Sequence, residues 1–193
     1  LKSNEINDDS SSDDTVSIIN SFDDSRINLQ VNSSRLGYSK NFETCLKRSV
    51  GDFIFLSDQD DIWLPSKVAT CIQLLHKYEF LASDCVVVDN NLNTIYPSHT
   101  SFTNLKPGFL YNFLCSRYVG ASFAFRRSFL LLALPFPEFS RFCPHDYWLC
   151  VLAELSVSAF YITKPLVLYR RHSYNASNGG IVSNRPLYRI IFQ

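Results

Sequence analysis

At 193 residues the chain has the size of one ordinary domain, with room for a substantial core. Hydrophobic residues make up 46% and aromatics 15%, which excludes a disordered chain. Its 18 basic residues balance 18 acidic ones, so no basic field draws it toward nucleic acid or anionic lipid. There is no methionine, and Leu1 opens in the middle of what reads as an element, so the expectation is a fragment or a processed chain. The six cysteines, at 45, 71, 85, 115, 143 and 150, show no CxxC spacing and sit mostly in apolar runs. They read as reduced, buried thiols of a reducing compartment, without the ligand spacing of a zinc site. No apolar run approaches the roughly 18–20 residues that span a bilayer, and no signal peptide is visible.

In chain order, Leu1–Asn7 is weakly strand-like and runs into Asp8-Asp9-Ser10-Ser11-Ser12-Asp13-Asp14-Thr15, a cluster that supplies helix caps. Val16, Ile19 and Phe22 predict a short helix, and the alternation of Ile27, Leu29 and Val31 predicts a half-buried strand. Gly37 marks a turn, and Phe42, Cys45 and Leu46 have helical spacing as far as Val50. Phe53–Leu56 reads as a buried strand. Pro65 suits the first turn of a helix whose stripe is Val68, Cys71, Ile72 and Leu75.

Cys85–Val88 is a β-branched run followed by a turn at Asn90–Asn93, and Ser98–Pro107 reads as a polar loop. Phe109–Leu114 predicts a helical turn, Ala121–Phe125 a strand, Phe129–Leu134 a short helix and Tyr147–Leu155 a longer one. Ala159–Ile162 and Leu166–Tyr169 read as two strands flanking Lys164-Pro165. Strands alternating with helices predict an α/β fold with a mostly parallel central sheet flanked by helices. Residues 1–175 form one domain, and 176–193 a loop or tail rich in Gly, Ser and Asn.

The densest chemistry is at Gly51-Asp52-Phe53-Ile54-Phe55-Leu56-Ser57-Asp58-Gln59-Asp60-Asp61-Ile62-Trp63, where three carboxylates follow a buried strand within four residues. Two like charges about 4 Å apart repel by roughly 4 kcal/mol at an effective dielectric near 20. Such a cluster suits a divalent cation between the acids, or a carboxyl that keeps its proton. In open α/β sheets ligands bind just beyond the carboxyl ends of the strands. The bland alternative is a solvated turn whose aspartate caps the next helix. Asp8-Asp9-Ser10 follows a strand in the same way, with a plain N-cap cluster as its alternative. His145-Asp146-Tyr147-Trp148 enters a helix after Pro144, where the aspartate is either a general base or an N-cap. Tyr169-Arg170-Arg171-His172 offers cations and an imidazole to phosphate oxygens or a metal, or is simply a basic strand end.

The order of these motifs resembles family 2 glycosyltransferases of the GT-A fold, closest to rhamnosyltransferase-like members. The residues carrying the likeness also include Leu36-Gly37-Tyr38-Ser39-Lys40-Asn41-Phe42 and Val119-Gly120-Ala121-Ser122. The stretches from Ser57 to Trp63 and from His145 to Leu149 are the specific ones. The resemblance implies that Asp9, with Asp8 beside it, contacts the base or ribose of a nucleotide-sugar. It makes Asp58 and Asp60 an Asp-x-Asp motif for Mg²⁺ or Mn²⁺, with Asp60 the direct ligand, and sets Asp61 by the donor sugar. Asp146 becomes the base that deprotonates the acceptor hydroxyl, and His172 helps bind the diphosphate or metal.

The implied activity is inverting, metal-dependent transfer of a sugar, rhamnose from a dTDP donor by the motif likeness, from a nucleoside diphosphate to a glycan or lipid-linked glycan. Surface polysaccharide synthesis, in the cytoplasm or peripherally at the cytoplasmic face of the membrane, is the implied setting. Two departures stand out. Only seven residues precede Asp8, so the family's usual first strand-helix unit is lacking, and Ser10 stands where the family usually has Gly. The competing readings are a truncated or degenerate non-catalytic GT-A domain, and a haloacid-dehalogenase-like phosphatase with Asp58 as nucleophile and Asp60 as acid.

Overall fold

The computed structural model of the chain describes residues 3–103, 107–114, 118–137, 143–156 and 158–171. A parallel pair comes first: β1 (Asn4–Asp8) and β2 (Ile27–Val31), linked through the short helix α1 (Thr15–Asn20). Helix α2 (Tyr38–Arg48) starts after Gly37, whose φ of 84° is the left-handed turn that glycine permits. It packs on β1, where the Arg48 guanidinium donates to the Glu5 carboxylate at 3.2 Å and to the Asn28 carbonyl at 3.0 Å.

A six-stranded sheet makes up the rest, with β3 (Phe53–Phe55), β4 (Ile62–Trp63), β5 (Phe80–Val88), β6 (Thr94–Tyr96), β7 (Ala124–Arg126) and β8 (Ala159–Arg170). Its order is β3-β7-β5-β8-β4, with β6 also pairing to β5. Strand β5 is its axis, and its residues alternate between two cores. Phe80 and Ala82 pack in one cluster with Phe123, which immediately precedes β7, with Phe125 of β7, and with Phe129, Leu149 and Cys150 of helices α6 (Arg127–Ala133) and α7 (His145–Leu155). Leu81 faces Cys71 and Leu75 on α3 (Lys67–Leu75), with Leu166 beside them. Burial on both faces explains why β5 is apolar nearly throughout rather than alternating.

Several expectations need correction. The sheet is mixed, not mostly parallel. Among the described residues only β5–β8 runs parallel in the larger sheet, while β3–β7, β5–β7, β4–β8 and β5–β6 are antiparallel. Short strands joined by direct returns, such as the turn from Asp89 to Asn93, need no crossover helix. The two strands expected around Lys164-Pro165 are one, since β8 continues past Pro165 through a shift of register opposite Asp84. A proline has no N–H to give the ladder. The neighbouring amide of Cys85 donates instead to the Asp84 carboxylate at 2.8 Å. Within the expected loop 98–107 a helix, α4, covers His99–Thr103, and α5 spans Phe109–Leu114. The strand expected at 121–125 is a 3-10 turn, Gly120–Ser122, followed by β7.

Cys45, Cys71, Cys85, Cys143 and Cys150 are free thiols. Among the described residues no helix is long and apolar enough to cross a membrane. Cys115, His172 and the tail at 176–193 lie outside the described residues.

Candidate active site at the acidic loop

The loop from Ser57 to Asp61 is pinned at both ends. Before it, β3 pairs with β7, and the Leu56 amide extends that ladder by donating to the Phe123 carbonyl at 3.1 Å. After it, Ile62 and Trp63 pair with Leu168 and Val167 of β8. Arg170, closing β8, ties the loop itself. Its amide donates to Asp61 Oδ1 at 2.8 Å and its Nε to the Asp60 carbonyl at 2.9 Å. A strand end thus holds the acids from a position far along the chain.

Within this frame Asp58, Asp60 and Asp61 each place a carboxylate oxygen within 4.8 Å of the others. Asp61 Oδ2 is buried without a hydrogen-bond partner, a costly state for an ionised oxygen. Burial, the charges of Asp60 and Asp146, and only partial relief from Lys67 push the Asp58 carboxyl up to about 6. Burial, opposed by the Arg170 amide but reinforced by Asp58 and Asp60, pushes Asp61 up to about 7. Closely spaced oxygens, one orphaned, are a donor set that fits a hard divalent cation such as Mg²⁺ or Mn²⁺. Asp61, assigned from the sequence to the donor sugar, stands in the same cluster as the two expected ligands.

Asp146 lies in the first turn of α7, where its Oδ1 accepts the Tyr147 amide at 2.8 Å. Its charge adds to those that raise the Asp58 carboxyl. Two features fix its position. A Cβ on Gly120 would fall 3.1 Å from Asp146 Cβ, so the 3-10 turn packs directly against the aspartate because residue 120 has no side chain. On the other side the buried His145 ring stacks on Phe42 at 4.1 Å, and its amide donates to Ser39 Oγ at 3.2 Å. Burial holds His145 below its ordinary value, against the pull of Asp146.

Asp8 and Asp9 belong to a different network, at the end of β1. Asp8 accepts Ser11 N at 2.9 Å and Ser11 Oγ at 2.5 Å. Asp9 takes Asn32 Nδ2 at 2.9 Å, the Leu36 amide at 2.7 Å and the Gly37 amide at 2.9 Å. Burial works against it, yet these hydrogen bonds hold Asp9 below its ordinary value. Beneath it Asn7, Asn32 and Asn41 bond one another. Between the two aspartates and the helix, Ser10 has a φ of 64°, a conformation glycine adopts freely; that accounts for the glycine expected there. Helix α2 connects the two regions, since Asn41 joins the asparagine network while Ser39 and Phe42 hold His145.

Sequence reasoning missed Lys67. The stripe of α3 buried against the sheet is Lys67, Cys71 and Leu75, whereas the expected stripe opened at Val68 and left the lysine out. The i, i+4, i+8 spacing was the available signal. The role of Arg170 as the tie of the acidic loop was equally unreadable, because its partners are remote in sequence.

Comparison with known proteins gives the family and the fold. The sequence model of the family described as Glycosyl transferase family 2 matches residues 6–131. A dTDP-rhamnosyl transferase of Shigella flexneri, RfbG, is 28% identical over 91% of this chain and 65% of its own length. The UDP-Glc:alpha-D-GlcNAc-diphosphoundecaprenol beta-1,3-glucosyltransferase WfgD of Escherichia coli is 36% identical over 44% of the chain and 34% of its own. Among solved structures, S. aureus TarS in complex with UDP-GlcNAc superposes with a TM-score of 0.68 at 17% identity, covering 96% of this chain and 54% of that one. The mannosyltransferase PcManGT of Pyrobaculum calidifontis, in complex with GDP-Man and Mn²⁺, gives 0.61 at 20% identity over 86% and 46%. The fold is GT-A, an α/β sheet flanked by helices. The chain spans about a third to two thirds of the length of these relatives.

Proposed function

The chain belongs to glycosyl transferase family 2, and from that premise we propose that its acidic loop and Asp146 carry out inverting transfer of a sugar from a nucleoside diphosphate to an acceptor hydroxyl. The observation that carries this reading is the orphaned Asp61 Oδ2 in a trio of closely spaced acids, one of which, Asp58, also feels the charge of Asp146. Asp58 and Asp60 would hold Mg²⁺ or Mn²⁺, with Asp61 completing the oxygen set or facing the donor sugar. The cation would supply neutralisation of the charge that grows on the leaving diphosphate.

Asp146 removes the acceptor proton. The acceptor oxygen forms its bond to the anomeric carbon as the bond from that carbon to the diphosphate breaks, in one displacement with inversion. Gly120 and His145 keep the carboxylate in place for that transfer. Asp9 and Asp8 shape the loop that would meet the base and ribose, and His172 remains a proposed contact of the diphosphate or metal.

Rhamnose from dTDP is the donor sugar we place first, supported by the likeness to the Shigella protein over most of the chain. UDP-glucose is the alternative that the E. coli relative supports over a shorter stretch. The acceptor is a glycan or lipid-linked glycan of surface polysaccharide synthesis, reached from the cytoplasm or from its face of the membrane. The test is thermal melting of the protein with Mn²⁺ and, in turn, dTDP, UDP or GDP. Joint stabilisation by metal and one nucleotide is expected, about 2.7 kcal/mol at a hundredfold excess over the dissociation constant. No added stability from any pair would count against the reading.

A further inference from the structure

Helix α5 is built inside out. Its amide residue, Asn112, is 2% exposed, while Leu110, Tyr111 and Phe113 are 69%, 56% and 51% exposed. Burial in a surface helix ordinarily runs the other way. Polar groups of α7 hold it from beneath. Glu154 Oε1 accepts the Gly108 amide at 3.1 Å and Asn112 Nδ2 at 3.0 Å, and the Tyr147 hydroxyl donates to the Phe113 carbonyl at 2.7 Å. Helix α4 repeats the inversion, with His99 and Thr103 buried and the exposed Phe102 stacked on Tyr96 at 4.0 Å. A fold gains nothing by showing three apolar side chains of one short helix to water; such a face answers to an apolar surface outside.

The distribution of charge selects that surface. The chain is neutral as a whole, but Asn90–Pro137 contains no Asp or Glu and four cations, Lys106, Arg117, Arg126 and Arg127. Arg126 is paired with Glu79, and Arg127 is spent on the Ser49 and Gly51 carbonyls. Lys106 and Arg117 stand in the sequence three residues before and three residues after α5. The carboxylates that approach the two helices are engaged: Asp84 accepts Ser98 Oγ and the Thr100 amide, and Glu154 accepts the Tyr118 hydroxyl besides its two bonds to α5. Asp146, the residue before Tyr147, belongs to the site. Apolar and aromatic side chains between cations, with no acid in the segment to repel phosphate headgroups, match the interface of an anionic bilayer. A second copy of the chain would instead bring the same cations against themselves.

We infer that α5 is a membrane-contact element, whose Leu110, Tyr111 and Phe113 enter the headgroup layer of an anionic bilayer. The bond from Tyr147 to Phe113 ties that face to the residue beside Asp146, so the contact brings the site to the bilayer, where a lipid-linked acceptor hydroxyl is presented. That purpose rests on the transferase reading above; the contact stands on the residues of α5.

The probe is sedimentation of the chain with vesicles of phosphatidylglycerol and phosphatidylethanolamine, or of phosphatidylcholine alone, without metal or nucleotide. Binding to the anionic vesicles should be at least about tenfold tighter, the effect of two cations near the surface. Leu110→Ser with Phe113→Ser should weaken it about a hundredfold, one factor of ten for each apolar side chain withdrawn. Leu131→Ser with Leu132→Ser, an exposed apolar pair on α6, should change it by less than about twofold.

A wild-type protein that ignores the anionic vesicles, or binds both kinds alike, would overturn the inference. Equal weakening by the two serine pairs would remove the contact from α5. A dimer in ultracentrifugation that the α5 pair abolishes, without vesicle binding, would put a second copy in place of the bilayer. Should that pair fail to fold, Leu110→Trp reads the same contact: its added emission should move to the blue with anionic vesicles, and a fixed emission would again overturn the inference. Melting with Mn²⁺ and nucleotide decides the transferase reading separately, since the vesicle assay contains neither.

Discussion

Asp8 and Asp9 close β1 much as Asp58, Asp60 and Asp61 follow β3, but the fold treats the two acidic groups in opposite ways. At the first, amides and hydroxyls of the surrounding loop turn toward the carboxylates, and Asp9 is held below its ordinary value by three donors. At the second, one oxygen of Asp61 is buried with nothing to bond, and Asp58 and Asp61 are pushed up to about 6 and 7. The first group is complete as folded and serves as a brace. The second is unfinished, and a cation would finish it. Acid density alone therefore does not mark a metal site; unsatisfied acid density does.

The largest expected effect tests the unfinished side. Asp146→Asn should lower transfer by roughly 10²–10⁴-fold while Mn²⁺-dependent nucleotide affinity stays within about twofold. The amide keeps the Oδ1 that bonds Tyr147, so loss of both properties would make Asp146 structural. Next, Asp60→Ala should weaken metal-dependent nucleotide binding by about a hundredfold, the loss of a charged ligand to the ion. Calorimetry with and without chelator measures it, and an affinity indifferent to chelator would contradict the assignment.

The comparison also has a pH signature. Asp58 and Asp61 sit above the ordinary value of 3.8, so the folded protein holds protons that the unfolded chain has released. Their contribution to stability is full below about pH 4 and lost as pH rises through 6 to 7. Asp9 has the opposite sign: its contribution is present above 3.8 and lost as pH falls through its lower folded value. Melting curves in chelator should show wild type losing stability relative to an Asp58→Asn, Asp61→Asn double variant between about pH 4 and 7. Parallel curves across that range would refute the strain at the acidic loop.

The brace should respond more modestly. Asp9→Ala leaves three donors without their acceptor, at a cost of about 1–2 kcal/mol at this half-exposed turn, read by chemical denaturation. Smallest is Ser10→Gly, which should gain up to about 1 kcal/mol by relieving the left-handed backbone; a loss of stability would show that Ser10 is held there by contacts worth more than the strain.

Much of the architecture was legible from local pattern. The helix expected over Tyr147–Leu155 begins two residues earlier, the strand expected over Phe53–Leu56 ends one residue sooner, and the alternation of Ile27, Leu29 and Val31 is a strand as its spacing predicts. The family likeness at Ser57–Trp63 and His145–Leu149 led to the fold. Strand direction was not legible, because a short strand carries the same pattern whichever way its neighbour runs. Nor was the unity of β8, since the proline that suggested a break sits opposite the irregular Asp84. Phe80–Asp84, the first half of the central strand, lacked β-branched residues and escaped notice for that reason.

The residue order alone determined that three acids would meet at the end of a buried strand, with a further aspartate opening a later helix. Only the tertiary structure decided which of those acids would lack partners and which cation would be sealed in beside them. Desolvation and hydrogen bonding depend on what the rest of the fold brings up, here an amide 109 residues from Asp61 and a lysine enclosed by α3, Trp63 and the turn at Ala121. Those are long-range facts, and no local pattern encodes them.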